Sequence, residues 1–156
     1  MSDFRICAIE LDELTVVRRT REIEQEREIA IYDLLEANTF KPLESKGGPY
    51  KVVLSVEDNR LVFEVRREND SEDCRVQLSL SPLRKIIKDY FLICESYFKA
   101  IRYAPPSQIE TLDMSRRGVH NEGSEILKEN LDGKIEVDFD TARRLFTLVC
   151  VLHLKG

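Results

Sequence analysis

The sequence lacks the features that mark a secreted or membrane-spanning chain. No apolar run approaches the ~20 residues that a helix needs to cross a bilayer. The longest run, residues 145–152, is short and contains Thr147. Polar residues at positions 2, 3 and 5 interrupt any apolar start, so we expect no signal peptide. These absences predict no membrane association and a cytoplasmic location.

Cysteine is scarce and scattered. No pair of cysteines has CxxC spacing, and each lies in an apolar pattern: Cys7, Cys74, Cys94 and Cys150. We predict reduced thiols that serve as small hydrophobic residues. His120-x-Glu122 is similar to one part of the zinc-deaminase signature, but the required Pro-Cys-x-x-Cys partner is absent. We therefore expect neither a metal nor a cofactor.

Strings that identify a reaction are also missing. The chain has no Gly-x-Ser-x-Gly, Walker or dinucleotide-binding string. The glycines of residues 46–49 precede a predicted strand rather than a helix, which indicates a turn and not a phosphate loop. Cys150 lies three residues before His153, yet surrounding Leu and Val raise a thiol's pKa instead of activating it. The enzyme question stays open, and the sequence favours a non-enzymatic protein.

Positive charge is not in excess. The net charge is -5, which disfavours attraction of the whole surface to nucleic acid. Arg18, Arg19 and Arg21 lie among glutamates in a predicted helix. We interpret them as part of a solvated helix face, and we expect no RNA binding.

Hydrophobic periodicity predicts an α+β fold in a single domain spanning residues 1–156. Residues 1–80 are expected to be mainly sheet plus one helix, and residues 81–156 mainly helical. We expect an antiparallel sheet of three to five strands with helices packed mainly on one face. The predicted strands cover residues 4–11, 50–56, 61–65 and 74–80, with a short strand or extended connection at 135–139. The predicted helices cover residues 15–38, 81–103, 108–131 as one helix or two, and 141–154.

Two of these helices have well-marked features. Ser81 is the expected N-cap of a long amphipathic helix ending at Tyr103, which we place at the centre of the fold. Asp140 is the expected N-cap of the last helix. That helix is apolar nearly all round, so it either crosses the core or lies in a subunit interface. We expect a homodimer that uses the C-terminal helices.

One stretch places polar residues inside an apolar stripe. On a helix, Arg116 and His120 share a face, and Arg117 lies next to it. Arginine can clamp a carboxylate or phosphate, and a histidine pKa near neutrality suits proton transfer. The candidate ligand-binding residues are Arg116, Arg117, His120, Asn121 and Glu122, with His120 the one candidate for catalysis. The alternative is a structural network in which the arginines pair with Asp113, Glu122, Asp138 or Asp140.

Two strings resemble a known family. They are Ser115-Arg116-Arg117-Gly118-Val119-His120-Asn121-Glu122-Gly123 and Asp140-Thr141-Ala142-Arg143-Arg144-Leu145-Phe146-Thr147-Leu148. Together with the chain length, they resemble a small alphaproteobacterial family that is catalogued only as an uncharacterised protein family. The resemblance implies a bacterial cytoplasmic protein without an assigned activity, and it transfers no active-site residue.

Two functions follow as hypotheses. The first is a non-enzymatic interaction or regulatory module. The second is a small enzyme or sensor that binds an anionic metabolite at the Arg/His stretch.

Overall fold

The described part of the chain comprises residues 3–12, 21–45 and 47–153 of a computed structural model. Within it, a mostly antiparallel sheet with helices packed against it forms an α+β fold, which confirms the predicted class. The elements are β1 (Ile6–Leu11), α1 (Arg21–Glu36), β2 (Phe40–Pro42), β3 (Tyr50–Glu57), β4 (Arg60–Arg67), β5 (Glu72–Ser79), α2 (Ser81–Tyr103), α3 (Pro106–Leu131), β6 (Ile135–Val137) and α4 (Phe139–His153).

The main sheet has four strands in the order β1-β3-β4-β5. Strands β3, β4 and β5 pair antiparallel with one another in chain order, in agreement with the predicted antiparallel sheet. Asp58 and Asn59 both have positive φ, 49° and 61°, as a two-residue hairpin turn between twisted strands requires. Strand β1 departs from the antiparallel expectation, because it pairs parallel to β3. The intervening segment, which includes α1, is long enough for the crossover that a parallel pair needs.

The two faces of this sheet differ in chemistry. Val52 pairs with Val65 and Leu54 pairs with Phe63, and all four side chains are buried. The opposite face carries ion pairs, such as Arg75 to Glu57 at 2.9 Å. The helices therefore cover the apolar face, as the alternating pattern predicted.

Helix α4 occupies the centre of the core. It packs against α1 and α3 and reaches β3. Its buried residues are Thr141, Ala142, Leu145, Phe146, Leu148, Val149, Cys150 and Val151. The sequence pattern placed residues 81–103 at the centre instead, whereas α2 packs chiefly against α3. Burial inside one chain accounts for the apolar faces of α4, so these faces no longer argue for a dimer, which stays a prediction.

Both predicted helix caps are wrong by one or two residues. The N-cap of α2 is Leu80, and Ser81 is already helical, because Pro82 can follow it within the first turn. At α4 the Oδ1 atom of Asp138, rather than Asp140, accepts a hydrogen bond from the Thr141 amide at 2.9 Å. This contact is the usual one between an N-cap side chain and the third helical residue.

Between the first predicted helix and the strand predicted from residue 50, the structure has a short strand that the sequence analysis did not predict. Strand β2 pairs antiparallel with β6 and forms a second, two-stranded sheet. The Thr39 amide donates to Thr141 Oγ1 at 3.0 Å, which joins this sheet to the start of α4.

The region over residues 108–131 is a single helix, since α3 runs unbroken through Gly118 and Gly123. Some expectations fall outside the described residues: the first part of the helix predicted from residue 15, with Arg18 and Arg19, Lys46 in the glycine turn, and Leu154 at the end of the last helix. Across the described ranges, no helix combines the length and apolarity needed to cross a membrane.

Candidate functional site

All four helices contribute to one pocket of about 400 Å³. Three of the predicted site residues line it, together with residues from the other helices. The lining residues are Glu26, Ile29, Ala30 and Asp33 of α1, Tyr90 of α2, Arg116, Arg117 and His120 of α3, and Arg143, Arg144 and Thr147 of α4.

Arg116 has two carboxylate partners inside the protein, although its Nε atom, like that of Arg143, is buried without a hydrogen-bond partner. Its Nη2 atom lies 2.7 Å from Asp113 Oδ1, and its Nη1 atom lies 3.4 Å from Glu26 Oε1. Its guanidinium carbon lies 4.6 Å from the centre of the Tyr97 ring, a cation–π distance. Arg116 therefore ties α3 to α1 and α2, as the structural alternative for the arginines supposed.

The pKa values of the two carboxylates that contact Arg116 are shifted in opposite directions. Burial raises the pKa of Glu26, and Arg116 only partly offsets this. The hydrogen bond from Arg116 lowers the pKa of Asp113. This arrangement keeps Arg116 paired with at least Asp113 across the ordinary pH range.

His120 lies at the base of the pocket between two aromatic rings. Its ring centre is 5.2 Å from those of Tyr90 and Phe146, with edge-to-face geometry. Its Nε2 atom lies 2.8 Å from the hydroxyl oxygen of Thr147. Burial lowers the pKa of His120 to about 4, with further lowering by Arg143 and Arg116. The imidazole is therefore uncharged near neutrality, in contrast to the near-neutral pKa expected from residue type alone.

The arginines of α4 are held more loosely than Arg116. Arg143 and Arg144 lie 3.9 Å and 3.7 Å from Asp140 Oδ1, and that carboxylate is 71% exposed. The Nε atom of Arg143 is buried without a hydrogen-bond partner. Arg117 lies 3.0 Å from Asp113 Oδ2, but its side chain is 71% exposed. These three guanidinium groups keep donors that a ligand could engage.

Helix α1 forms the acidic wall of the pocket. Glu26, Ala30 and Asp33 follow the spacing i, i+4, i+7 and so lie on one face of the helix. Ala30 is buried between the two carboxylates. The pocket thus has carboxylates on α1 and guanidinium groups on α3 and α4.

The structure brings together only part of the predicted site. Arg116, Arg117 and His120 line the pocket, whereas Asn121 and Glu122 are exposed and are not among its lining residues. They follow His120 by one and two residues, which turns them about 100° and 200° round the helix. Sequence reasoning missed Arg143 and Arg144, although two adjacent arginines in an otherwise apolar helix were a visible signal.

The remaining reactive groups are suppressed by burial. Burial raises the pKa of Cys94 to about 12, and it raises that of Cys150 as well. Burial likewise raises the pKa of the Tyr90 phenol. In the described ranges, no group of three or more His, Cys, Asp or Glu side chains is arranged to hold a metal ion.

Comparison with known proteins places the chain among bacterial relatives of similar length. A UPF0262 protein of Azorhizobium caulinodans is 60% identical over 154 residues, which cover 97% of this chain and 95% of the relative. One from Rhizobium etli is 57% identical over 154 residues, covering 99% and 98%, and one from Ruegeria pomeroyi is 56% identical over 161 residues, covering all of both chains. No solved structure matches the chain significantly. The sequence model of an uncharacterised protein family matches residues 3–155, and the chain therefore belongs to that family, UPF0262.

Proposed function

We propose that this protein is a non-enzymatic regulatory module of the bacterial cytoplasm that binds a small anionic ligand in the pocket between its four helices. The observation that carries the proposal is the placement of Arg117, Arg143 and Arg144 around one pocket. Arginine presents several donors in a fixed plane, which suits carboxylate and phosphate groups.

The internal partners of these arginines leave room for a ligand. The Asp140 carboxylate approaches Arg143 and Arg144 only at 3.7–3.9 Å, near the limit of an ion pair, and Arg144 Nη1 also donates to the Asp140 main-chain oxygen at 3.1 Å. Exposed pairs of this kind contribute about 0–1 kcal/mol, so a ligand anion can displace the carboxylate at small cost. The Thr147 hydroxyl at the base of the pocket adds a neutral polar group next to the arginines.

The state of His120 supports binding over catalysis. A general acid or base works best when its pKa lies near the operating pH. The His120 pKa of about 4 is well below neutrality, and its Nε2 atom is already hydrogen-bonded to Thr147. These properties favour a sensor over the small enzyme that the sequence left as an alternative.

Isothermal titration of the purified full chain tests the proposal directly. The probes are inorganic phosphate, simple nucleotides and small organic acids, each also followed by thermal unfolding. A ligand present at 100 times its Kd is expected to stabilise the fold by about 2.7 kcal/mol. A complete lack of binding or stabilisation by every anionic probe would overturn the proposal.

Two arginine variants locate the binding site. Arg144→Gln is expected to weaken binding about tenfold or more, because charge-assisted hydrogen bonds contribute about 1.5–3 kcal/mol. Arg75→Gln is the matched control, since Arg75 is an exposed, ion-paired arginine on the opposite face of the sheet. Equal loss in both variants would indicate a nonspecific charge effect.

The predicted homodimer is tested in the same samples. Native mass spectrometry counts the copies in the assembly and reports any small molecule that purifies with the protein. A retained mass that is lost in Arg144→Gln would support the pocket and begin to identify its ligand.

A further inference from the structure

The acidic side of the pocket contains one carboxylate, that of Asp33, without a partner in the described part of the chain. Asp33 lines the pocket and is half-buried. Among the residues that the structure describes, its carboxylate has neither an ion pair nor a hydrogen bond within the protein. Glu26, two helical turns away on the same face, is instead paired with Arg116.

The basic side contains the corresponding unused donors. Arg143 has a buried Nε atom without a hydrogen-bond partner, and its only ion pair within the described ranges is the 3.9 Å contact to the exposed Asp140 carboxylate. Arg144 Nη1 donates to the Asp140 main-chain oxygen at 3.1 Å and lies 3.7 Å from the carboxylate, which leaves its other donors available. Unused charges of opposite sign therefore face the same space from α1 and α4. No ion pair within 4.0 Å joins Asp33 to an arginine of α4 among the described residues. Asp33, Arg143 and Arg144 all line the same pocket of about 400 Å³, which provides space for a group between them.

Accordingly, and resting on the proposed function, we infer that the ligand is a zwitterion. Its carboxylate or phosphate binds Arg143 and Arg144, and its protonated amine binds Asp33. A ligand with both charges satisfies the carboxylate as well as the guanidinium groups. A simple anion would leave Asp33 unpaired and close to a second negative charge, which is unfavourable in a partly desolvated pocket.

Matched probe pairs isolate the contribution of the amine. Glutamate is compared with glutarate, and 2-aminoethyl phosphate with ethyl phosphate, by isothermal titration of the full chain. Within each pair the anionic groups are alike and only one member has the amine. We expect at least one amine-bearing probe to bind about tenfold or more tightly than its partner, because a charge-assisted hydrogen bond is gained.

Substitution of the acidic wall tests the same contact from the protein side. Asp33→Asn preserves the side-chain shape and removes its charge, so it should abolish the preference for the amine while retaining binding of glutarate or ethyl phosphate. Glu36→Gln is the matched control, because Glu36 is exposed on the same helix and does not line the pocket. Glu36→Gln should retain the preference for the amine-bearing probe.

The outcomes separate this inference from the proposed function. If glutarate and ethyl phosphate both bind as tightly as their amine-bearing partners, the zwitterion inference is overturned and the anion site stays intact. A preference that survives in Asp33→Asn would also overturn it, since the amine would then bind elsewhere. Failure of all four probes, and of the other anions, would overturn both.

Discussion

Gly123 of α3 lies against the aromatic ring of Phe146 on α4. A Cβ atom at position 123 would lie 2.7 Å from Phe146 Cε2 and nearer still to two other ring atoms. Phe146 is fully buried and also contacts the rings of His120 and Tyr90. The glycine thus allows α3 and α4 to approach closely beside His120, which lines the pocket.

The two glycines of α3 should respond in opposite directions to alanine. Gly123→Ala is expected to destabilise the protein, because overpacking a core typically costs about 1–3 kcal/mol and exceeds the gain in helix propensity. Gly118→Ala should stabilise it by about 0.5–1 kcal/mol, since no atom lies within 4 Å of the added Cβ. Urea denaturation of both variants measures these changes. Equal effects would contradict the close packing of α3 on α4.

The low pKa of His120 makes stability depend on pH. Between the folded pKa of about 4 and the ordinary value of 6.5, the unfolded chain binds more protons than the folded one. The contribution of His120 to the free energy of unfolding is therefore fully present above about pH 6.5. It is lost as the pH falls toward 4, by on the order of 3 kcal/mol.

The variant His120→Gln isolates that contribution. The difference in unfolding free energy between wild type and variant should become more favourable to wild type as the pH rises from 4 to 6.5. Because the pKa of Glu26 is raised above 4.5, its contribution to stability decreases as the pH rises above that value. Glu26 is present in both proteins, so its effect is subtracted in the comparison. A difference that does not change with pH would show that His120 titrates alike in both states.

Removal of Arg116 should destabilise the fold far more than removal of its neighbour. Arg116→Ala leaves Glu26 in a partly buried position without its partner, which we expect to cost about 2–3 kcal/mol. Arg117→Ala removes an exposed arginine and should change stability by no more than about 0.5 kcal/mol. Chemical denaturation at neutral pH compares the two. A similar loss in both would contradict the three-helix role of Arg116.

The start of α4 provides a second matched pair. Asp138→Ala removes the carboxylate that caps Thr141 N and should cost about 1 kcal/mol. Asp140→Ala should cost less, because its contacts to Arg143 and Arg144 are long and exposed. It should also strengthen the binding of anionic probes, since it removes the carboxylate that competes for both arginines. Thermal unfolding and titration of both variants test these effects.

Local patterns were sufficient to predict most elements of the fold. The apolar alternation over residues 50–56 and 61–65 located strands β3 and β4, because alternation within a strand depends only on neighbouring residues. The same holds for the apolar stripes of α2 and α4. By contrast, β2 has only three residues, and its partner strand β6 is far away in the sequence. No local pattern therefore predicts β2. The parallel pairing of β1 likewise depends on the path of the whole connection.

The candidate site shows the same division. The pattern around Arg116 and His120 was visible because polar residues interrupted an apolar stripe. The contribution of α4 had one local signal, the adjacent arginines Arg143 and Arg144. That pair alone did not show that they meet the α3 residues, because this depends on how the two helices pack. The His120 pKa also depends on that packing, because burial is its main cause.

The pairing of β2 with β6 has a consequence for how the chain folds during synthesis. The hydrogen bond from Thr39 to Thr141 joins residues 102 positions apart. The first of these segments leaves the ribosome long before the second. Phe40, which is fully buried in the folded protein, is therefore synthesised before the β6 and α4 residues of the same core. Contacts of such high sequence separation form late and slow folding. The nascent chain therefore completes this core only after β6 and α4 have been translated.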